Sequence, residues 1–276
     1  MRVLVVGGGG ALGRRLLALC ARHAPELDCT TASRGGEGGL RLDLHDTRAL
    51  AGALADFDVL VNAVGPYDYD PAPVVRACVE ARCHYIDLAE LPDFLIEVAR
   101  AAERAGADAA GTLIVPGCST SPSLVACLAQ RFRGLAGLAR VDAWLSIGTN
   151  NPSSPALLYG LLRPLGCELP DGERAYGRLA RRSARDGTAL CYGRYPFPRE
   201  NEALDLGTGA LPLRFFAGFD RSFVAHLLCV ASRAANQLSD ASLRRWTRWG
   251  DRAAKLARPF GGRVGRLALE AFDSSG

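Results

Sequence analysis

Four consecutive glycines, Gly7–Gly10, separate a short β-branched run, Val3–Val6, from a segment whose leucines (Leu12, Leu16, Leu19) recur at helical spacing. Glycine inside a regular element costs roughly 0.5–1 kcal/mol relative to alanine, so such a cluster marks a turn with a geometric demand. The run before it is apolar at every residue, as a strand buried on both faces requires. Gly8, Gly10 and Gly13 spell G-x-G-x-x-G between strand and helix. In that spacing the first glycine makes a tight turn and the second lets backbone approach a pyrophosphate. The third lets helix and strand pack closely. The helix N-terminus then presents free N–H groups and the positive end of its dipole, which makes Gly10, Ala11 and Leu12 a phosphate cradle.

The same alternation recurs down the chain. Strands read at about Leu27–Ala32, "LRLDLHD", "DVLVNAVGP", "HYIDL" and "TLIVPG", and helices open behind Asp46 and near Pro73, Pro92 and Pro122. Six strand–helix repeats predict a Rossmann-type doubly wound parallel sheet with right-handed crossovers. Its ligand lies beyond the carboxyl ends of the strands, near the switch point in strand order. The alternation ends near Gly134, which sets residues 1–134 as a nucleotide-binding domain. A second, smaller α+β domain over 135–276 is expected for substrate and dimerisation. It reads as a strand at "ARVDAWLSIG", a helix from Pro155, an irregular stretch over Pro170–Pro212, and helices at Arg221–Gln237 and Ser242–Ala257.

Composition narrows the class further. Hydrophobic residues at 49% and charged ones at 22% describe a globular protein. No apolar run approaches the ~18 residues of a membrane span. Arg14 and Arg15 after a glycine-broken run do not read as a signal peptide, so the expected compartment is the cytoplasm. Nine cysteines without a CxxC pair or zinc spacing read as reduced thiols, with no metal site. Lys255 is the only lysine, which excludes a catalytic lysine from the N-terminal half. Between Leu243 and Arg266 eight basic residues face one acid, Asp251, while the rest of the chain is net negative. Without a groove-reading module this charge does not point to nucleic acid. A helix with one buried stripe, Trp246 and Trp249 on protein and arginines in water, makes membrane contact unneeded. The other uses are an interfacial helix or a homodimer contact, since tryptophan and arginine favour both.

The strand ends supply the candidate site. After the second strand stand Ser33 and Arg34, with no acid before Glu37. A carboxylate there would hold the ribose hydroxyl of NAD, whereas an arginine fork suits the 2′-phosphate of NADP. NADP is therefore the expected cofactor, with Asp43 reaching the adenine amine. Asn62, Gly65 and Pro66 close the fourth strand where backbone passes the nicotinamide, and Cys118 lies in the turn after the sixth. Proton donors or charge partners for a small-molecule substrate come from the same ends: Tyr67 and Asp68 first, then Glu90. The four histidines are placed less well, His23 and His45 toward the adenine half and His84 at the start of its strand.

"VLVVGGGGALGRRLL", "DVLVNAVGPYDYDPAPVVRACVEARCHYIDLAEL" and "VPGCSTSPSLVACLAQRF" together resemble the saccharopine dehydrogenase and saccharopine reductase-like oxidoreductases. The resemblance covers residues 1–133 and fades over "SIGTNNPSSPALLYGLL". It implies an N-terminal Rossmann domain, a mixed α/β substrate domain and NADP(H)-dependent hydride transfer at a carbon–nitrogen bond of an amino acid derivative. This chain is shortened relative to that pattern, and Cys118-Ser119-Thr120-Ser121-Pro122 replaces the expected Gly/Asp-rich turn, which points away from saccharopine itself. Two other readings stand beside it. One is a reductase of C=C or C=O in an apolar or lipid-linked substrate; the other is a non-catalytic NADP-binding partner.

Overall fold

Alternate residues of the first strand face opposite ways and find a core on each side. In this computed structural model Leu4 and Val6 of β1 (Arg2–Val6) join a cluster with Leu60, Val75, Tyr85 and Val98, while Val3 and Val5 pack with Val61 against Leu16 and Leu17. The structure describes all residues except 37, 152, 184–186, 199–201, 208, 236–238 and 275–276. It divides into two units, Met1–Ser123 and Leu124–Gly276.

The first unit runs β1, α1 (Ala11–His23), β2 (Asp28–Ser33), β3 (Leu40–Arg41), α2 (Thr47–Leu54), β4 (Val59–Asn62), α3 (Ala72–Ala81), β5 (His84–Asp87), α4 (Pro92–Ala105), α5 (Ala107–Ala110) and β6 (Ile114–Val115). All pairings are parallel in the order β3-β2-β1-β4-β5-β6, so strand order reverses between β1 and β4. This is the doubly wound α/β sheet expected, and its ligand edge is where β1 and β4 end. Asp46 caps α2 as its position suggested, accepting the Ala49 N–H at 3.0 Å. The third strand is shorter than "LRLDLHD" implies: Leu42 and Leu44 are buried, but pairing with β2 stops at Arg41.

The second unit, the longer of the two, holds α6 (Val125–Ala129), β7 (Leu138–Ile147), α7 (Pro155–Leu162), β8 (Leu179–Ser183), β9 (Ala189–Arg194), β10 (Ala203–Asp205), β11 (Ala210–Phe219), α8 (Ser222–Ala235), α9 (Asp240–Ala257) and β12 (Arg266–Asp273). Its mixed sheet has the order β12-β7-β11-β9-β8, with β10 on β11; β7 and β11 are parallel. Val125 and Ala129 pack with Val141 and Phe215, which is why the division falls one short helix before Gly134. The stretch Pro170–Pro212, read as irregular, holds β8, β9, β10 and the start of β11 instead. Arg181 and Arg182 lie in β8, the last strand of that sheet, where side chains reach solvent and no apolar alternation is required. The final helix also turns the other way. Leu243, Thr247 and Asp251 of α9 are its buried positions, beside α7, whereas Trp246 and Trp249 face solvent.

Arg194, 4% exposed at the end of β9, is the charged centre of this unit. Its guanidinium donates to Asp171 at 2.7 Å and to Glu202 at 2.9 Å, and Glu202 also accepts the Phe197 N–H at 2.8 Å. Removing one partner of such a pair leaves the other buried and unpaired, at a cost of about 3–5 kcal/mol. Arg194→Ala should lose that much in urea denaturation, and Arg194→Met with Glu202→Leu should lose clearly less.

Candidate functional site

The glycine turn is built differently from its motif. Gly7 has φ +85° and donates its N–H to Ala32 O at 2.9 Å; a Cβ there would stand 2.7 Å from Ala63 O. Gly7, rather than Gly8, therefore makes the tight turn. Gly8 instead admits the neighbouring strand, since its Cβ would fall 1.8 Å from Thr31 Oγ1. Gly13 has the expected role: a Cβ would sit 2.3 Å from Gly7 O, so α1 touches the end of β1 backbone to backbone.

Gly9 and Gly10 are the open pair. A Cβ on Gly9 would meet nothing within 4 Å, and one on Gly10 only Gly7 O at 3.1 Å. Helix α1 begins at Gly10 with no side-chain cap and no acid in its first turn, whereas Asp46, Ser154 and Ser239 cap α2, α7 and α9. The first N–H groups of a helix, here those of Ala11, Leu12 and Gly13, have no intrahelical partner. That arrangement accepts a pyrophosphate, and the chain fits a dinucleotide here. At the adenine end Ser33 Oγ accepts the Gly36 N–H at 3.1 Å and Arg34 is exposed. Glu37 lies outside the described residues. Asp43 spends one oxygen on the His45 N–H at 3.0 Å, which closes a local turn.

The other strand ends are joined by a buried polar network. Asn62 Nδ2 donates to Tyr69 Oη at 2.8 Å and Tyr85 Oη at 3.0 Å, while its Oδ1 accepts the Val64 N–H at 3.1 Å. Asn62 is thus the hub of the turn. Gly65 is exposed and Pro66 half-buried beyond it. Asp87, paired in register with Asn62, is fully buried. Its Oδ1 accepts the N–H groups of Ala89 at 2.9 Å and Gly117 at 2.8 Å, which ties the turn after β6 to β5. The Tyr85 hydroxyl stands beside it, but Oδ2 has no partner in hydrogen-bond geometry. Burial pushes the Asp87 carboxyl above its ordinary 3.8, against the pull of the Gly117 and Ala89 amides and Tyr85.

Tyr67 does not stand free for proton transfer. Its ring is buried 5.1 Å from that of Phe94, and its hydroxyl donates to Asn62 O at 2.9 Å and accepts the Leu88 N–H at 3.3 Å. Burial first, then the Asp87 charge, pushes the phenol far above its usual range. Backbone φ of +61° lets the ring turn inward. Asp68, next in the chain, is exposed. Glu90 is exposed too, and it accepts from Ser119 Oγ and from the Ser121 N–H at 3.3 Å. Cys118 donates its N–H to Asp87 O at 2.7 Å and its thiol to Val115 O at 3.6 Å; burial, then Asp87, raises that thiol, so it is no ready nucleophile. The structure therefore joins Glu90 to the Cys118–Ser121 turn and places Tyr67 underneath as support. Gly7 and Tyr69 are the positions of this network that sequence reasoning did not single out, whereas Asp87 stood beside Glu90 among the strand-end acids. Only Gly7 carried a signal, its place directly after the strand.

Two measurements check this geometry. Gly10→Val should abolish cofactor binding in fluorescence titration yet shift stability no more than a surface change, about 0.5 kcal/mol. Gly13→Ala, meeting backbone, should cost roughly 1–3 kcal/mol. A carboxyl raised on folding stabilises while protonated in both states, and that contribution is lost as pH rises through the folded value. Asp87→Asn keeps the Oδ1 acceptor and should flatten the fall in stability from about pH 4 upward in pH-dependent denaturation.

Residues 3–113 match the family described as the saccharopine dehydrogenase NADP binding domain. A probable mitochondrial saccharopine dehydrogenase-like oxidoreductase of Arabidopsis thaliana is 33% identical over 79 residues, which are 29% of this chain and 17% of that protein. Among solved structures, a probable dehydrogenase from Thermotoga maritima aligns with a TM-score of 0.42 at 14% identity, over 80% of this chain and 69% of its own. The aspartate semialdehyde dehydrogenase of Francisella tularensis aligns at 0.41 and 13%, over 79% and 72%. The chain thus spans about a sixth of the curated relative that it matches. Over residues 3–113, from the glycine turn to the strand-end network, the chain is similar to the saccharopine dehydrogenase NADP binding domain.

Proposed function

We propose that this protein is an NADP-dependent oxidoreductase acting at a carbon–nitrogen bond of an amino acid-type or imine substrate. The observation that carries the cofactor is the uncapped N-terminus of α1 behind Gly9, whose Cβ position is open, and Gly10, whose Cβ would meet only Gly7 O. Gly9 to Gly13 hold the pyrophosphate by backbone N–H groups, and the Arg34 fork takes the 2′-phosphate. The turn from Ala63 to Pro66 borders the nicotinamide. Bound there, the nicotinamide supplies or accepts the hydride.

The chain's own contribution is charge and position. Glu90, oriented by Ser119 and the Ser121 N–H, meets the ammonium or iminium of the substrate. Asp68, exposed after the Gly65-Pro66 turn, is the second group placed to relay a proton. Tyr67 is a positioning residue, because its hydroxyl is held by Asn62 and Leu88. A second reading, reduction of C=C or C=O in an apolar or lipid-linked substrate, is favoured by the exposed tryptophans of α9.

Fluorescence titration tests the cofactor. Arg34→Ala should weaken NADPH by about 10–100-fold, the worth of a charged contact at roughly 1.5–3 kcal/mol, and leave NADH unchanged. Turnover of NADPH with a panel of amino acid and oxoacid pairs tests the bond. Glu90→Gln and Asp68→Asn should lower kcat by about 10²–10⁴ where they hold or move the proton, with NADPH affinity intact. Tyr67→Phe should lower the melting temperature more than kcat. Turnover with apolar enones and none with amino acid pairs selects the second reading. Binding without turnover of either class leaves a non-catalytic NADP carrier.

A further inference from the structure

The outward face of α9 combines two features that a free surface rarely carries together. Trp246 and Trp249 are each 61% exposed, Leu256 is 78% and Phe260, in the turn after the helix, is 73%. With Ala253 they fall within roughly a quarter-turn at 3.6 residues per turn. The buried positions Leu243, Thr247 and Asp251 lie on another side of the helix. The inward polar groups are satisfied there: Asp251 accepts from Ser153 and pairs with Lys255, and Arg244 pairs with Asp240 while stacking 4.6 Å over Tyr159. Beside the apolar stripe Arg245, Arg248, Arg252 and Arg263 are exposed, with no carboxylate partner among the described residues. Arg252 covers the Trp249 ring at 5.1 Å.

We propose that this face docks on the surface of an anionic lipid bilayer, with α9 lying parallel to the membrane plane. Trp246, Trp249, Leu256 and Phe260 enter the boundary between headgroups and acyl chains, and the arginines meet lipid phosphates. The partner follows from what each alternative leaves unexplained. A nucleic acid takes the arginines but offers no place for a stripe of large apolar side chains. A second copy takes the stripe, but a two-fold contact sets the arginines against their own images. An anionic interface takes both. No helix among the described residues is long and apolar enough to cross a membrane, so the contact is one of lying on the surface.

Co-sedimentation of the full chain with vesicles tests this. The chain should bind phosphatidylcholine vesicles containing phosphatidylglycerol, bind pure phosphatidylcholine at least tenfold more weakly, and release as salt rises. Each arginine near such a surface is worth about fivefold in affinity. Arg245→Gln with Arg248→Gln and Arg252→Gln should therefore weaken binding by well over tenfold. Trp246→Ser with Trp249→Ser should do so as well, with circular dichroism unchanged in both variants because the substituted side chains are exposed. The third tryptophan, Trp144, is stacked on Phe216, so a blue shift of fluorescence on vesicle addition reports α9. No binding to anionic vesicles at low salt overturns the proposal, as does binding that neither variant changes. A dimer lost in the tryptophan variant without vesicle binding overturns it in favour of a second copy. Tighter binding to duplex DNA than to vesicles overturns it in favour of a nucleic acid.

Discussion

Helix α1 and the end of β1 meet with no side chain between them, and the cofactor edge of the first unit depends on that contact. A Cβ on Gly13 would lie 2.3 Å from Gly7 O and 2.7 Å from Gly8 Cα. The close approach aims the first N–H groups of α1 at the place where β1 and β4 part company. Glycine thereby serves three different demands in seven residues. Gly7 supplies the left-handed turn, Gly8 and Gly13 supply clearance for a neighbour, and Gly9 and Gly10 leave space in front of the helix unfilled.

The neighbouring strand ends solve a different problem. Where β4, β5 and β6 end, backbone groups lose their ladder partners inside a largely dry region. Unmade hydrogen bonds there cost about 1–3 kcal/mol each. Asn62 and Asp87 take up those groups, and Tyr67, Tyr69 and Tyr85 close the network over them. The carboxylate at its centre resists ionisation through burial, yet two amides pull it the other way. The result is a stiff floor below exposed Asp68 and Glu90, with the polar groups that reach solvent standing on the ones that do not.

How much of this was legible follows from which interactions are local in sequence. β1 and β4 are buried on both faces and read as apolar runs, and the Asp46 cap acts three residues away. The glycine turn was visible because it is made of backbone, for which glycine spacing is a direct code. Tyr67 was misjudged because its role depends on Asn62 and Leu88, and on the positive φ that turns it inward. Nothing in "GPYDYDP" distinguishes an inward tyrosine from an outward one. β8 to β10 were missed since short strands with arginines among them carry no strong alternation. α9 was turned the wrong way because Thr247 and Asp251 look like surface residues; Asp251 is tolerated inside by Ser153 and Lys255.

The arginines of the second unit show how the same side chain divides into framework and surface. Arg194 is spent on Asp171 and Glu202, and Arg182 makes a two-armed contact with Glu270 at 3.0 and 2.7 Å. Glu270 also accepts the Trp144 indole at 2.8 Å, and Asp142 holds both Arg140 and Arg214. These forks act as ties between strands far apart in sequence, such as β8 with β12. A guanidinium already sharing carboxylates has little attraction left for a further anion, since its field is neutralised at contact distance. Arg245, Arg248 and Arg252 of α9 differ in that they are exposed without a carboxylate partner among the described residues, and Arg252 lies over the Trp249 ring. Along that helix charge of one sign therefore survives at the surface, and there it lies beside the exposed apolar stripe.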